Sequence, residues 1–366
     1  MSYESKLENG TSIASGLTDS TAKIIRVLIV DDSAYVRKVI KQMLLRSPYI
    51  EVVGTARDGE EALEMVEQLK PDVVTLDLIM PNLDGIGFLQ KQMEKNPIPV
   101  VIVSIAGETS ELGLKAFDLG AVEFVQKPTA LATERIYKIS NELIEKVKIA
   151  SSVPMRRMKP PLEVKEPPQV ETFKPRSERF DALVLGISKG PQALKQIIPQ
   201  FPKDLPIPVA VVIHMPVAYT EPFANKLNEI SPLTVKEAKE GDPVEKGVVL
   251  IAPAGRHLTF RRRHDGLVFA HLDLRPFDTL HKPSVDVLFR SAAEVYKSRV
   301  LGVVMTGMGS DGKEGAAWIK SQGGTVFTEA EETCIVYGMP RSVVEAGLSD
   351  KSIPLDRMVE EIIASL

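Results

Sequence analysis

Cysteine is almost missing from this chain of 366 residues; Cys334 is the single one. No internal disulfide can form, which excludes a stapled secreted scaffold and fits a reducing compartment. Long apolar runs are missing as well: none approaches the ~20 residues needed to cross a bilayer, so no membrane insertion is expected. The N-terminal stretch Met1 to Ser20 is polar and lacks the apolar centre of a signal peptide, and the expectation is a cytoplasmic protein. There is no basic excess either. Lys+Arg number 45 against 49 Asp+Glu, a formal net charge of −4. A protein that grips nucleic acid through its phosphates is usually basic, so no nucleic-acid partner is expected. What remains is an ordinary globular composition, 44% hydrophobic and 26% charged, in a chain long enough for two domains.

Residues 1–24 are rich in Ser, Thr, Gly and acids without periodic apolar positions, which predicts a disordered tail. Short β-branched runs then recur at Arg26–Val30, Ile50–Val53, Asp72–Leu76, Val100–Val103 and Val122–Val125, with helical spacing between and after them. Five strand–helix units predict a doubly wound parallel sheet over residues 25–147. Six prolines between Pro154 and Pro175, among many charges, predict a semi-rigid linker over 148–178. A second α/β domain is expected over 179–366. Its strands are read at Ala182–Leu185, Val209–Ile213, Val248–Ile251, Val300–Val304 and Thr325–Phe327, its helices near Gln192–Ile198, Pro222–Glu229, Val285–Tyr296 and Glu314–Ser321, with a hairpin around His257–Leu272. The predicted class is α/β: two doubly wound parallel-sheet domains, a (βα)5 unit followed by a Rossmann-like one. The first turn of the second unit lacks the G-x-G-x-x-G dinucleotide fingerprint, and no His/Cys cluster suggests zinc.

Asp31 and Asp32 directly follow the first expected strand, Asp77 the third, Ser104 the fourth and Lys127 the fifth. Ligands of an open parallel sheet bind beyond the carboxyl ends of its strands, so these residues converge. Singly, such an acid serves as a helix N-cap. Together, three crowded carboxylates call for a divalent cation, and an all-oxygen set suits Mg²⁺. A lysine and a hydroxyl beside them can hold a phosphoryl group.

These pieces resemble the receiver domain of response regulators: VLIVDDS (Val27–Ser33), TLDLIMPNLDG (Thr75–Gly85), VIVS (Val101–Ser104) and GAVEFVQKP (Gly120–Pro128). The resemblance implies that Asp77 accepts a phosphoryl group from a histidine kinase, with Mg²⁺ held by Asp31, Asp32 and Asp77. It implies phosphoryl contacts from Ser104 and Lys127, a cis Lys127–Pro128 peptide, and a switch aromatic at Phe124.

In the second domain, Gly186-Ile187-Ser188-Lys189-Gly190 matches a glycine-flanked nucleophile turn at a strand end. His214 follows the strand ending at Ile213, and Asp311 lies just past the strand ending near Met305. A serine nucleophile, a histidine base and an orienting carboxylate assemble in this way from distant sequence positions. The chain order Ser, His, Asp differs from the Ser, Asp, His of α/β-hydrolases, which argues against that fold but not against the chemistry. The remaining histidines, His257, His264, His271 and His281, are each more simply structural or exposed. Arg261–Arg263 are read as a solvated hairpin face.

This half resembles the effector domain of the chemotaxis protein-glutamate methylesterases. The carrying pieces are HMPVAYTEPFANKLN (His214–Asn228), EGDPVEKGVVLIAPAGRHL (Glu240–Leu258), HKPSVDVLFRSAA (His281–Ala293), MTGMGSDGKEG (Met305–Gly315) and VYGMPR (Val336–Arg341). The resemblance implies Ser188 as nucleophile, His214 as general base, Asp311 as its orienting acid and the Met308 amide as an oxyanion donor, with no cofactor for the esterase. It implies hydrolysis of glutamate methyl esters, and deamidation of glutamines, on methyl-accepting chemoreceptors, regulated by phosphorylation. One departure stands out. The family turn reads G-A-S-T-G-G, whereas here Lys189 replaces the threonine and one glycine is missing before Pro191, which has no N–H to offer an oxyanion. The alternative this opens is a catalytically impaired receiver protein acting as a phosphate sink or receptor-array regulator.

Overall fold

The computed structural model describes residues 23–105, 110–127, 133–155, 179–188 and 190–366. The expected tail up to residue 22, most of the expected linker, the Lys127–Pro128 peptide and Lys189 lie outside the described residues.

Strands β1 (Ile25–Val30), β2 (Ile50–Ala56), β3 (Val73–Leu76), β4 (Val100–Ser104) and β5 (Glu123–Gln126) form a parallel sheet in the order β2-β1-β3-β4-β5. Helices α1 (Ala34–Leu44), α2 (Gly59–Leu69), α3 (Gly85–Lys95), α4 (Ser110–Asp118) and α5 (Thr133–Ser152) alternate with the strands. The central strands are buried on both faces, which explains their near-continuous Val/Ile/Leu runs. Helix starts are set by local side chains: Asp58 accepts from Glu61 N and Asp84 from Gly87 N. α5 continues past residue 147 to Ser152 because Val147, Ala150 and Val153 keep their apolar face on the same core.

The second sheet has seven parallel strands in the order β14-β13-β12-β6-β7-β9-β8. Its members are β6 (Ala182–Ile187), β7 (Val209–Ile213), β8 (Thr234–Glu237), β9 (Val248–Ile251), β12 (Val300–Val304), β13 (Thr325–Glu329) and β14 (Lys351–Ile353). The antiparallel pair β10 (His257–Arg262) and β11 (Val268–Asp273) stands apart as the expected hairpin. The helices are α6 (Pro191–Ile197), α7 (Thr220–Ile230), α8 (Val285–Tyr296), α9 (Lys313–Ser321), α10 (Met339–Glu345) and α11 (Met358–Ser365). The strand order reverses direction around β6: β12 lies on one side of it and β7 on the other. Their carboxyl ends therefore open into a common crevice, where an α/β sheet binds its ligand.

The two sheets are joined through one continuous apolar cluster that includes Leu114, Phe117 and Phe124 from the first and Tyr219 and Phe223 from the second. Around it Gln192 Nε2 donates to Phe117 O, Lys195 pairs with Asp118, and Lys226 Nζ lies 3.8 Å from the same carboxylate.

Candidate functional site

The first cluster forms at the carboxyl ends of β1, β3, β4 and β5. Asp31 is fully buried, Asp77 and Ser104 nearly so, while Asp32 faces solvent. Asp31, Asp32 and Asp77 each bring one carboxylate oxygen to within 4.8 Å of the others. The N-cap of α1 is Ser33, whose hydroxyl accepts from Val36 N, so neither Asp31 nor Asp32 serves as that cap. Asp31 Oδ1 instead accepts from Ser33 N at 3.0 Å. Lys127 Nζ lies 2.7 Å from both Asp31 Oδ2 and Asp77 Oδ2. Its own N–H donates to Ser104 O at 2.9 Å, which ties the lysine to the serine. Burial pushes the Asp31 carboxyl up, against the pull of Lys127. Burial also opposes the Lys127 ammonium, yet its two carboxylate partners raise its pKa above the ordinary value. A crowded set of three carboxylates, oxygen donors only, fits a hard cation such as Mg²⁺.

The second cluster forms where β6, β7 and β12 end side by side. Ser188 follows β6 directly, and its N–H donates to Thr306 O at 3.1 Å, beyond the end of β12. Gly190 caps the next helix at φ +77°, a conformation that favours glycine, and Pro191 opens α6. His214 follows β7, with its N–H on Ile187 O at 3.2 Å. Asp311 sits in the loop after β12 and receives His214 Nε2 at 2.8 Å. An ionised Asp311 only accepts, so this bond places the imidazole proton on Nε2. Nδ1 is then the basic atom; it is buried and has no hydrogen-bond partner among the described residues. The His281 ring stacks on His214 at 4.0 Å and 22°.

Ser188 and His214 line the same cleft, about 340 Å³ in volume, together with His281 and Lys282. No hydrogen bond joins Ser188 to His214 in this arrangement; such contacts often tighten only when substrate is bound. The opposite wall of the cleft comes from the first domain, through Phe117, Phe124, Gln126 and Lys146. Met308 is half-exposed beside the site, and among the described residues its N–H donates to no acceptor.

Sequence reasoning passed over the residues that hold Asp311. Its Oδ1 accepts from Ser284 Oγ at 2.9 Å and from Asp286 N at 3.0 Å, and its Oδ2 from Val285 N at 2.9 Å. Burial opposes the charge on Asp311, but the His214 bond and these N–H donors hold it far below the usual carboxylate range. Ser284 N in turn donates to His257 Nδ1 at 3.2 Å. His257 is fully buried, and burial lowers its pKa. It therefore props the acid rather than facing substrate. The one signal in the sequence was Pro283-Ser284 ahead of the apolar run of α8, a helix-start pattern.

Comparison with known proteins follows the same division. A family model described as CheB methylesterase matches residues 183–362, and one described as response regulator receiver domain matches residues 27–138. A protein-glutamate methylesterase/protein-glutamine glutaminase of Myxococcus xanthus is 49% identical over 337 residues, 92% of this chain and 96% of that one. One from Geobacillus kaustophilus is 43% identical over 345 residues, 93% of this chain and 98% of that one. The crystal structure of the catalytic domain of Thermotoga maritima CheB methylesterase aligns at 43% identity with a TM-score of 0.50, covering 51% of this chain and 99% of that one.

Proposed function

The chain belongs to the CheB methylesterase family, with a response regulator receiver domain ahead of the esterase, and from that premise we propose that Ser188, His214 and Asp311 hydrolyse glutamate methyl esters under control of phosphorylation at Asp77. It is a hydrolase of the protein-glutamate methylesterase and protein-glutamine glutaminase class. The observation that carries the residue assignment is the His214–Asp311 bond, which leaves Nδ1 without a partner among the described residues on a ring that lines the same cleft as Ser188.

Under this reading His214 Nδ1 takes the Ser188 Oγ proton as the oxygen bonds to the ester carbonyl carbon. Asp311 steadies the imidazolium through Nε2. The Met308 N–H, which meets no acceptor among the described residues, is the candidate donor to the oxyanion; the Ser188 N–H is already committed to Thr306 O. The imidazolium returns its proton to the leaving methoxide, methanol departs, and an acyl-serine remains. A water, deprotonated by the same nitrogen, then releases the glutamate side chain. With glutamine the leaving group is ammonia and the steps are the same.

Receiver domains generally bind Mg²⁺, and here Asp31, Asp32 and Asp77 would hold it. Bound, the cation would neutralise charge as Asp77 takes the phosphoryl group from a histidine kinase. Lys127 and Ser104 would meet the phosphoryl oxygens. The receiver wall across the cleft supports control by occlusion, because a helical chemoreceptor cannot reach Ser188 while Phe117 and Phe124 stand opposite. No described helix is long and apolar enough to cross a membrane, and the chemoreceptor is the membrane partner in this scheme. Methanol release from methyl-esterified receptor membranes tests the assignment: the wild-type chain should produce it and Ser188→Ala should not. Equal release from both would overturn it.

A further inference from the structure

Ser188 and His214 are fixed by strands that end directly before them. Asp311 is not: it stands seven residues past the end of β12 at Val304, in an open loop. What holds that loop is a reciprocal exchange with α8. Asp311 receives the N–H groups of Val285 and Asp286, the first turn of α8. In return Asp286 Oδ1 receives Gly312 N at 2.8 Å and Gly315 N at 2.7 Å, the first turn of α9. α9 has no other side-chain cap, since its N-cap is Gly312 at φ +98°. Each acid thus caps the helix that carries or follows the other.

We propose that Asp286 is a positioning residue of the esterase: by clamping the Asp311–Gly312 peptide to α8 it sets the Asp311 carboxylate against His214 Nε2. The proposal rests on the assignment of Ser188, His214 and Asp311 above. Asp286 does not line the cleft of Ser188, so it acts only through Asp311. Two adjoining carboxylates cannot both stay ionised cheaply. Burial, with the Asp311 charge added, pushes Asp286 up to about 7, while Asp311 is held low and ionised. The clamp itself is Asp286 Oδ1 accepting two N–H groups, a role an amide oxygen also fills.

The test uses the full-length chain with methanol release as the readout, comparing Asp286→Asn, Asp286→Glu and Asp286→Ala. Turnover is expressed per Ser188 titrated to its end point with a serine-directed phosphonate, so a loss of folded enzyme does not count as a loss of kcat. Misplacing a catalytic group by ~1 Å can cost ~10²-fold, so Ala and Glu are expected to lower kcat about ten-fold or more, with KM within about two-fold. Asn, which keeps the acceptor in place, is expected within about three-fold of wild type on the same grounds. Trp318, the only tryptophan, lies on α9 with Arg290 of α8 stacked 4.5 Å away, so unchanged emission reports an intact helix pair. If Ala fails to fold, the Glu–Asn contrast decides. Wild-type kcat in Glu, or an Asn loss as deep as that of Glu, overturns the clamp. Ser188→Ala is run alongside: if it still turns over, the catalytic assignment fails and the clamp with it; if it is dead while Glu matches wild type, the clamp alone fails.

Discussion

The ring of Phe124 packs on the ring of Tyr219, centroids 5.0 Å apart and planes tilted by 56°. Phe124 lies on the last strand of the receiver sheet; Tyr219 lies five residues past His214 and is fully buried. The aromatic proposed as the switch of one domain is thereby in direct contact with the segment that carries the proposed general base of the other. On the same side, Gly113 of α4 approaches so closely that an added Cβ would stand 2.4 Å from Tyr219 Cε1.

Gly113→Ala should therefore wedge the receiver off the esterase. In the receiver alone the change is benign, because alanine favours a helix over glycine by ~1 kcal/mol. A wedge worth ~1.4 kcal/mol in the closed arrangement raises the open population about ten-fold. Unphosphorylated Gly113→Ala is expected to release methanol from receptor membranes several-fold faster than wild type. A piece spanning residues 179–366 with no receiver should show the higher rate as well. A wild-type rate in Gly113→Ala would count against occlusion through this contact.

Phosphorylation should depend on the acids beyond β1 and β3. With Mg²⁺ and a small phosphodonor such as acetyl phosphate, the wild-type chain should take up label and Asp77→Asn should take up none. Asp32→Ala, a change at an exposed side chain, should weaken labelling without shifting the melting temperature. Label retained in Asp77→Asn would place the acceptor elsewhere.

Stability should carry a pH signature from beneath the Ser188 turn. Glu329 is fully buried; its Oε2 accepts from Thr306 N at 2.8 Å, and Thr306 O accepts from Ser188 N. Burial pushes the Glu329 carboxyl up to about 7 from 4.5. Between those values the folded chain keeps a proton that the unfolded chain has lost, so this group's contribution falls as pH rises from 4.5 to about 7 and stays low above it. Glu329→Gln keeps an acceptor and has no charge to desolvate. Its melting temperature relative to wild type should climb between pH 5 and pH 8. His257 works in the other sense: its pKa is lowered, so its contribution is complete above 6.5 and is lost as pH falls below that. The variant–wild-type difference, not the wild-type slope, isolates Glu329. A difference flat across this range would show that Glu329 is ionised throughout.

Much of this is legible in the amino-acid sequence. Val209–Ile213, Val248–Ile251 and Val300–Val304 have the bounds expected from their apolar runs, and the acids and hydroxyls at strand ends fall at the sheet edges those runs imply. The strands that escaped notice, β8 and β14, are short edge strands with half-exposed polar positions, so no apolar run marks them. Helices α10 and α11 were also passed over. The supports of Asp311 were hidden for another reason. Ser284, Val285 and Asp286 act through a hydroxyl and backbone N–H groups at a helix start, and which distant loop meets that start is decided by tertiary packing. The Phe124–Tyr219 contact belongs to the same class, since periodicity places each ring in a core but does not pair two cores.

The most direct measurement is methanol release by Ser188→Ala, His214→Ala and the double variant, each set against wild type under identical conditions. A nucleophile and its base act as a unit, and in such pairs either loss alone costs nearly as much as both. The account predicts three rates that agree within a few-fold. A double variant slower by the product of the two single losses would mean that Ser188 and His214 work independently, and would contradict the assignment.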